Sequence, residues 1–219
     1  MPMVLGVCFD LDGTLVDTEP LQWEAYRRVL AGYGVTLELD TYRRHFIAVA
    51  GGAEWACRRW GLPVDARALR ARKSAVYREL IAAGAPAMPG ARACLERLHA
   101  SWPLAVVTNS TQAEAAVLLG TLRLDALFTA VIAREDHTAA KPAPDAYLAA
   151  AAALHRAPAG CVAVEDTPRG VRAARAAGLR VVAVPSDLTA DQDFAEATRR
   201  VDGLDALTPA LLRALEDAS

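Results

Sequence analysis

Short, continuous apolar runs recur along the chain, and most are followed by a more polar stretch with helical spacing. A continuous apolar run, rather than an alternating one, is typical of a strand that is buried on both faces of a sheet. The predicted strands are 4–9, 104–107, 130–133, 161–164 and 180–184. The predicted helices around them are 91–100, 112–119, 145–154 and 169–177. This alternation predicts right-handed βαβ units, and therefore an α/β fold with an open, Rossmann-like parallel sheet.

One region breaks the alternation, because residues 18–83 contain helical patterns and no convincing strand. Its predicted helices begin near Pro20 and continue over 53–60 and 66–81. The stretch 84–90, which is rich in Gly and Pro, has the composition of a linker. We therefore predict two domains. They are an α/β core at 1–16 and 85–219, and an inserted α-helical cap at 17–84.

The composition of the chain argues against several classes of function. The 219-residue chain has 24 Lys plus Arg and 26 Asp plus Glu, a net charge of −2, without the basic block that nucleic-acid-binding proteins use. No apolar run approaches the ~18 residues of a membrane span, and the N-terminus lacks the basic start of a secretory signal. Four cysteines without CxxC spacing are typical of reduced thiols. These features predict a soluble, cytoplasmic protein whose partner is neither nucleic acid nor membrane. They leave open whether it is a monomer or a small homo-oligomer.

Polar and charged residues follow each of the first four predicted strands. In open α/β sheets, ligands bind beyond the carboxyl ends of the strands, so these residues are expected to meet at one edge. They are Asp10, Asp12, Thr108, Asn109, Lys141, Glu165 and Asp166. This set combines carboxylates, a hydroxyl and an ammonium from four separate segments. The combination indicates a functional site more specifically than any one of these residues alone.

Asp10 and Asp12 come directly after the first strand, and residues two apart in an extended chain point to the same side. One carboxylate can attack phosphorus to give an aspartyl-phosphate, while the other transfers the proton. Gly13 would let the backbone turn sharply and bring its amides towards an anion. An Asp-Gly pair is also ordinary turn chemistry, so this motif alone leaves a simple Asx turn open.

Two carboxylates beside a phosphate need a cation. Glu165 and Asp166 offer the oxygen ligands that Mg²⁺ prefers, although acids at a helix start also favour the helix dipole. Thr108, with the neighbouring Asn109, and the ammonium of Lys141 are candidate phosphate ligands. An N-cap or surface turn would equally explain Thr108, and a solvated position would equally explain Lys141.

Together these motifs resemble the haloacid dehalogenase superfamily across essentially the whole chain. The first motif of that superfamily, DxDGTLxD, is matched by residues 10–17, and the helical insert resembles the cap of the phosphoglycolate phosphatase and β-phosphoglucomutase branch. The resemblance implies Asp10 as nucleophile and Asp12 as general acid and base. The Mg²⁺ ligands that it implies are Asp10, Asp166 and the backbone carbonyl of Asp12, with Glu165 beside them. The phosphoryl ligands that it implies are Thr108 and Lys141.

From the resemblance we predict a Mg²⁺-dependent phosphatase that acts on a small phosphorylated metabolite, such as a sugar phosphate or phosphoglycolate, beneath a closing cap. Asp12 favours phosphoryl transfer, because the dehalogenases of the superfamily lack this acid. Mutases of the branch carry a cap histidine in place of Gln22 and an arginine in the loop that corresponds to 48–52. Lys73 matches a mutase cap lysine, although a solvated helix-face lysine also explains it. A phosphosugar mutase and a catalytically silent binding module are the alternatives.

Overall fold

A computed structural model describes residues 6–47 and 51–215. The first two residues of the first predicted strand, and residues 48–50 of the predicted cap loop, lie outside this part of the chain. The chain divides into two compact units, which are 1–17 with 86–219 (the core unit) and 18–85 (the helical unit). These divisions differ by one residue from the predicted domain boundaries.

The core unit contains a parallel sheet, as the apolar runs predict. Its strands, over the described residues, are β1 (Gly6–Phe9), β2 (Leu104–Val107), β3 (Ala130–Ile132), β4 (Cys161–Glu165), β5 (Arg180–Ala183) and β6 (Arg199–Arg200). They are ordered β3-β2-β1-β4-β5-β6. The chain moves outward from β1 in one direction and from β4 in the other, so the crevice for a ligand is expected where these two strands adjoin. The Rossmann-like fold is therefore confirmed.

Helices connect the strands, and their ends follow from local sequence signals. The core unit contains α5 (Ala91–His99), α6 (Gln112–Thr121), α7 (Asp145–Ala153), α8 (Pro168–Ala176) and α9 (Pro209–Ala214). Thr111 and Glu114 form a capping box at the start of α6. Thr167 caps α8, which has Pro168 in its first turn, and Gly178 follows the helix with a φ of +87°.

The helical unit is built from α1 (Glu19–Ala31), α2 (Leu39–Tyr42), α3 (Gly52–Trp60) and α4 (Ala66–Ala82). Its apolar core contains Leu30, Leu37 and Leu69. Three partly buried tryptophans pack against this core, and they are Trp23, Trp55 and Trp60. Packing of large aromatic rings supplies much of the apolar area that a small helical unit can bury.

Two short elements near the C-terminus escape prediction. β6 consists of two exposed arginines at the sheet edge, so it has no apolar run to reveal it. Helix α9 has only six residues, too few to establish a period, although Thr208 caps it and Pro209 lies in its first turn. Within the described residues, no helix is both long enough and apolar enough to cross a membrane.

Candidate active site

The chain turns sharply where β1 ends, and this turn positions the first acids. The amide of Asp10 donates to the Val164 carbonyl at 2.9 Å, which ties the end of β1 to β4. Gly13 has a φ of +86°, a conformation that favours glycine, and its amide donates to the Val16 carbonyl at 2.8 Å. A Cβ atom on Gly13 would also collide with the carboxylate of Asp166. Glycine is therefore required here both by the backbone and by the neighbouring acid.

Lys141 lies at the centre of a buried charged cluster. Its Nζ atom donates to Asp10 Oδ1 at 2.5 Å, to Glu165 Oε1 at 2.7 Å and to the Val107 carbonyl at 2.8 Å. The side chain of Lys141 is only 4% exposed, so the alternative of a solvated surface lysine is wrong. Residues from β1, β4 and the loop before α7 thus meet, as expected of strand ends along one edge.

The charges in this cluster shift one another's protonation. Burial alone would lower the pKa of Lys141, but the carboxylates of Asp10 and Glu165 raise it above its ordinary value, so the side chain stays an ammonium. Burial raises the pKa of Asp10 to about 8, with Lys141 opposing the rise and Glu165 and Asp12 adding to it. Additional positive charge beside Asp10 would therefore favour the ionised form of its carboxyl group.

Three acids could share a metal ion. Carboxylate oxygens of Asp10, Glu165 and Asp166 lie within 4.8 Å of one another, and all three residues are buried. Thr14 Oγ1 donates to Asp166 Oδ1 at 3.2 Å. Hard oxygen ligands on three carboxylates, against the single charge of Lys141, fit a divalent cation such as Mg²⁺. The side chain of Asp12 lies outside this group, and a contact between its backbone carbonyl and the metal is still a prediction.

Asp12 points towards the end of β2. Its Oδ2 atom accepts hydrogen bonds from Thr108 Oγ1 at 3.0 Å and from Ser110 Oγ at 2.7 Å. The Ser110 amide also donates to Thr108 Oγ1 at 2.9 Å. Two hydroxyl donors from the segment after β2 thus contact the carboxylate of Asp12. The two acids of the first motif therefore have different environments, which suits them to different chemical roles.

The alternative of an N-cap for Thr108 is wrong, because Thr111 caps α6. The Asn109 side chain faces the lysine loop, where its Oδ1 atom accepts from the Lys141 amide at 3.1 Å. This contact aligns the lysine backbone, so Asn109 supports the site through Lys141. A direct contact between Asn109 and phosphate is still a prediction.

The two candidates in the helical unit contact each other. Lys73 Nζ donates to the side-chain oxygen of Gln22. It also lies 4.3 Å from the centre of the Tyr77 ring and 5.5 Å from that of Tyr26. Lys73 is half-buried among these partners, which shield part of its side chain from solvent. Whether either side chain contacts a substrate is still a prediction.

Sequence reasoning missed several side chains of the core unit that contact the predicted residues, and Ser110 and Tyr147 are two of them. Ser110 was visible as a hydroxyl two residues after Thr108, within the same turn. Tyr147 lies on the first turn of α7, and its hydroxyl donates to Glu165 Oε1 at 2.7 Å. Only the close packing of α7 against the sheet brings Tyr147 to Glu165, and spacing along the chain does not indicate it.

Comparison with known proteins agrees with this geometry. The haloacid dehalogenase-like hydrolase family matches residues 4–178. The chain belongs to this family. The predicted superfamily is thus confirmed, and this haloacid dehalogenase-like chain is a hydrolase.

Individual relatives of this haloacid dehalogenase-like hydrolase match most of its length. Protein CbbY of Rhodobacter capsulatus is 36% identical over 213 residues, which cover 92% of this chain and 94% of the relative. Fructose-1-phosphate phosphatase YqaB of Escherichia coli is 34% identical over 184 residues, which cover 82% and 95%. The crystal structure of CbbY from Rhodobacter sphaeroides in complex with phosphate is 28% identical, has a TM-score of 0.81, and covers 94% and 96%.

Proposed function

We propose that this protein is a Mg²⁺-dependent phosphatase that hydrolyses a small phosphorylated sugar through an aspartyl-phosphate on Asp10. The observation that carries the proposal is the ion pair between Asp10 and Lys141 inside a group of three buried acids. A buried carboxylate beside one ammonium and a divalent cation is a nucleophile whose charge is compensated when an anionic phosphate arrives. The name of the relative YqaB, a fructose-1-phosphate phosphatase, supports a sugar phosphate as the substrate class.

The side chains have separate roles in the proposed reaction. The Asp10 carboxylate forms a bond to phosphorus, the bond from phosphorus to the substrate oxygen breaks, and Asp12 protonates that oxygen. Asp12 then takes a proton from water, which attacks phosphorus and breaks the bond to Asp10. Inorganic phosphate and the free sugar are the products. Lys141 stabilises negative charge on Asp10 and on the phosphoryl oxygens.

Mg²⁺ would be held by Asp10, Asp166 and the backbone carbonyl of Asp12. When bound, it would neutralise charge on the phosphoryl oxygens. Glu165 is the least suited of the three acids as a ligand, because its Oε1 atom already accepts from both Lys141 and Tyr147. We propose that Glu165 acts chiefly as the partner of Lys141.

Chelation tests the proposal. EDTA is expected to lower phosphate release from p-nitrophenyl phosphate by at least about 100-fold, and excess Mg²⁺ is expected to restore it, because the acids would otherwise repel the substrate. A thermal melt in EDTA checks that the chain stays folded. Full turnover in EDTA would contradict metal dependence, and no release at any Mg²⁺ concentration would favour a binding module. With sugar phosphates, isomerisation without net release would favour a mutase.

The Gly170→Ala substitution tests whether the position of Glu165 matters. Gly170 lies in the first turn of α8, and a Cβ atom there would collide with the Glu165 carboxylate. Although alanine normally stabilises a helix by about 1 kcal/mol relative to glycine, we expect this variant to be destabilised and its kcat to fall at least about tenfold. Urea denaturation and phosphate release measure the two effects.

The matched control is Gly120→Ala, a helical glycine of α6 with open space around its Cβ position. This variant is expected to keep full activity and to gain up to about 1 kcal/mol in stability. If Gly170→Ala behaved like Gly120→Ala, the Glu165 carboxylate would not need the position seen in the structure.

A further inference from the structure

Tyr147 is a buried side chain of the site region that the proposed reaction does not use. The residue is fully buried, and its ring belongs to the apolar core beneath the sheet. Its hydroxyl donates to Glu165 Oε1 at 2.7 Å. The hydroxyl therefore acts as a hydrogen-bond donor to this carboxylate.

The Tyr147 hydroxyl donates a hydrogen bond to the same carboxylate oxygen that accepts one from Lys141. Glu165 Oε1 accepts from Lys141 Nζ at 2.7 Å and from the tyrosine hydroxyl at an equal distance. An ammonium has three N–H donors, and the nearest acceptors of Lys141 Nζ are Asp10, Glu165 and the Val107 carbonyl. The hydroxyl oxygen of Tyr147 lies farther from Nζ, at 3.4 Å. The ammonium also lies 4.9 Å from the centre of the Tyr147 ring. The Tyr147 ring therefore lies against one side of the ammonium, and its hydroxyl holds Glu165, the second carboxylate that accepts from Lys141.

Two carboxylates compete for this one ammonium. A hydrogen bond from Tyr147 withdraws negative charge from Glu165 Oε1, so Glu165 attracts Lys141 less strongly. Without the hydroxyl, a buried acceptor would lose one of its two donors and draw the ammonium away from Asp10. The balance between the two ion pairs therefore depends on a tyrosine that lies behind the reacting groups.

We propose that Tyr147 is a positioning residue, which acts through Glu165 to hold the Lys141 ammonium against Asp10. This inference rests on the proposed function, because it concerns the nucleophile and the charge partner of that reaction. It predicts that the hydroxyl, and not only the ring, contributes to the rate.

The Tyr147→Phe substitution separates the hydroxyl from the ring, because phenylalanine fills the same space in the core. We expect kcat for p-nitrophenyl phosphate at saturating Mg²⁺ to fall about 10- to 100-fold. KM and the Mg²⁺ concentration for half-maximal activity are expected to change less than about threefold. A thermal melt accompanies the kinetics, and a variant that loses rate while it is fully folded at the assay temperature supports the inference.

The Tyr42→Phe variant is the matched control. Tyr42 is also buried, and its hydroxyl also donates to a glutamate, Glu19, at 2.9 Å, but within the helical unit. Removal of this hydrogen bond is expected to change stability by an amount similar to that of Tyr147→Phe, and to leave kcat within about twofold of wild type. Equal rate losses in the two variants would show a general effect of stability and overturn the inference.

A double-mutant cycle with Glu165→Gln tests the route of action. If Tyr147 acts through Glu165, then Tyr147→Phe is expected to change kcat less than about threefold in the Glu165→Gln background. If the double variant instead lowers kcat by the product of the two single fold-losses, Tyr147 does not act through Glu165. If Tyr147→Phe alone keeps kcat within twofold of wild type, the positioning role is overturned. A wild-type protein that releases no phosphate would instead overturn the proposed function, and the inference with it.

Discussion

The Asp10→Asn substitution is expected to lower kcat for phosphate release by at least about 10⁴-fold. An amide has nearly the shape of a carboxylate and can still accept the hydrogen bond from Lys141 Nζ, which spans 2.5 Å in the native protein. The fold is therefore expected to persist while the nucleophilic charge is lost. Release of phosphate from p-nitrophenyl phosphate at saturating Mg²⁺ measures the change.

The control for this variant is Asp125→Asn, the same chemical change at an exposed acid in the turn Asp125–Leu127. It is expected to retain wild-type kcat. Turnover of Asp10→Asn within tenfold of wild type would rule out Asp10 as the nucleophile and would direct attention to Asp12, the other acid of the motif.

The Lys141→Met substitution is expected to damage both rate and stability. Methionine keeps the length of the side chain but leaves Asp10 and Glu165 buried beside each other without their shared ammonium. Removal of one partner from a buried ion pair typically costs about 3–5 kcal/mol. The melting temperature is therefore expected to fall by roughly 10 °C. Loss of charge stabilisation at the phosphoryl group is expected to lower kcat about 10³-fold.

A thermal melt in EDTA isolates the stability effect, because bound metal would partly replace the missing charge. Arg44→Met is the comparison, since the ion pair of Arg44 with Asp40 is about 70% exposed and such pairs contribute less than about 1 kcal/mol. An unchanged melting temperature in Lys141→Met would contradict the cost expected for removal of one partner from a buried ion pair.

The sheet could be predicted because its strands are short and buried on both faces. β1, β2 and β4 are fully buried, and each is a continuous apolar run in the sequence except for Glu165 at the end of β4. Once these runs are ordered as parallel strands, the residues after them must share one edge, which is why Asp10, Lys141 and Glu165 could be grouped in advance. β6 lacked this signal because an exposed edge strand of two arginines needs no apolar side chain.

Partners within the site could not be predicted in the same way. The sequence indicated Glu165 and Asp166 as neighbours of a metal, but adjacent residues at a strand end point in different directions. Glu165 pairs with Lys141, whereas Asp166 accepts from Thr14. These partners come from the loop before α7 and from the turn after β1, and the position of Glu165 and Asp166 in the sequence does not indicate which of them each acid meets.

Two glycines limit how the acids of the site can be arranged. Their presence or absence can therefore be used to judge whether a related sequence can form the same site. Gly13 leaves room for the carboxylate of Asp166, and Gly170 leaves room for that of Glu165. A related chain that keeps all four acids but carries a side chain at either position would have to orient them differently. Asp166 and Glu165 therefore each depend on a glycine, and a search for chains with the same site geometry should require both residues of each pair.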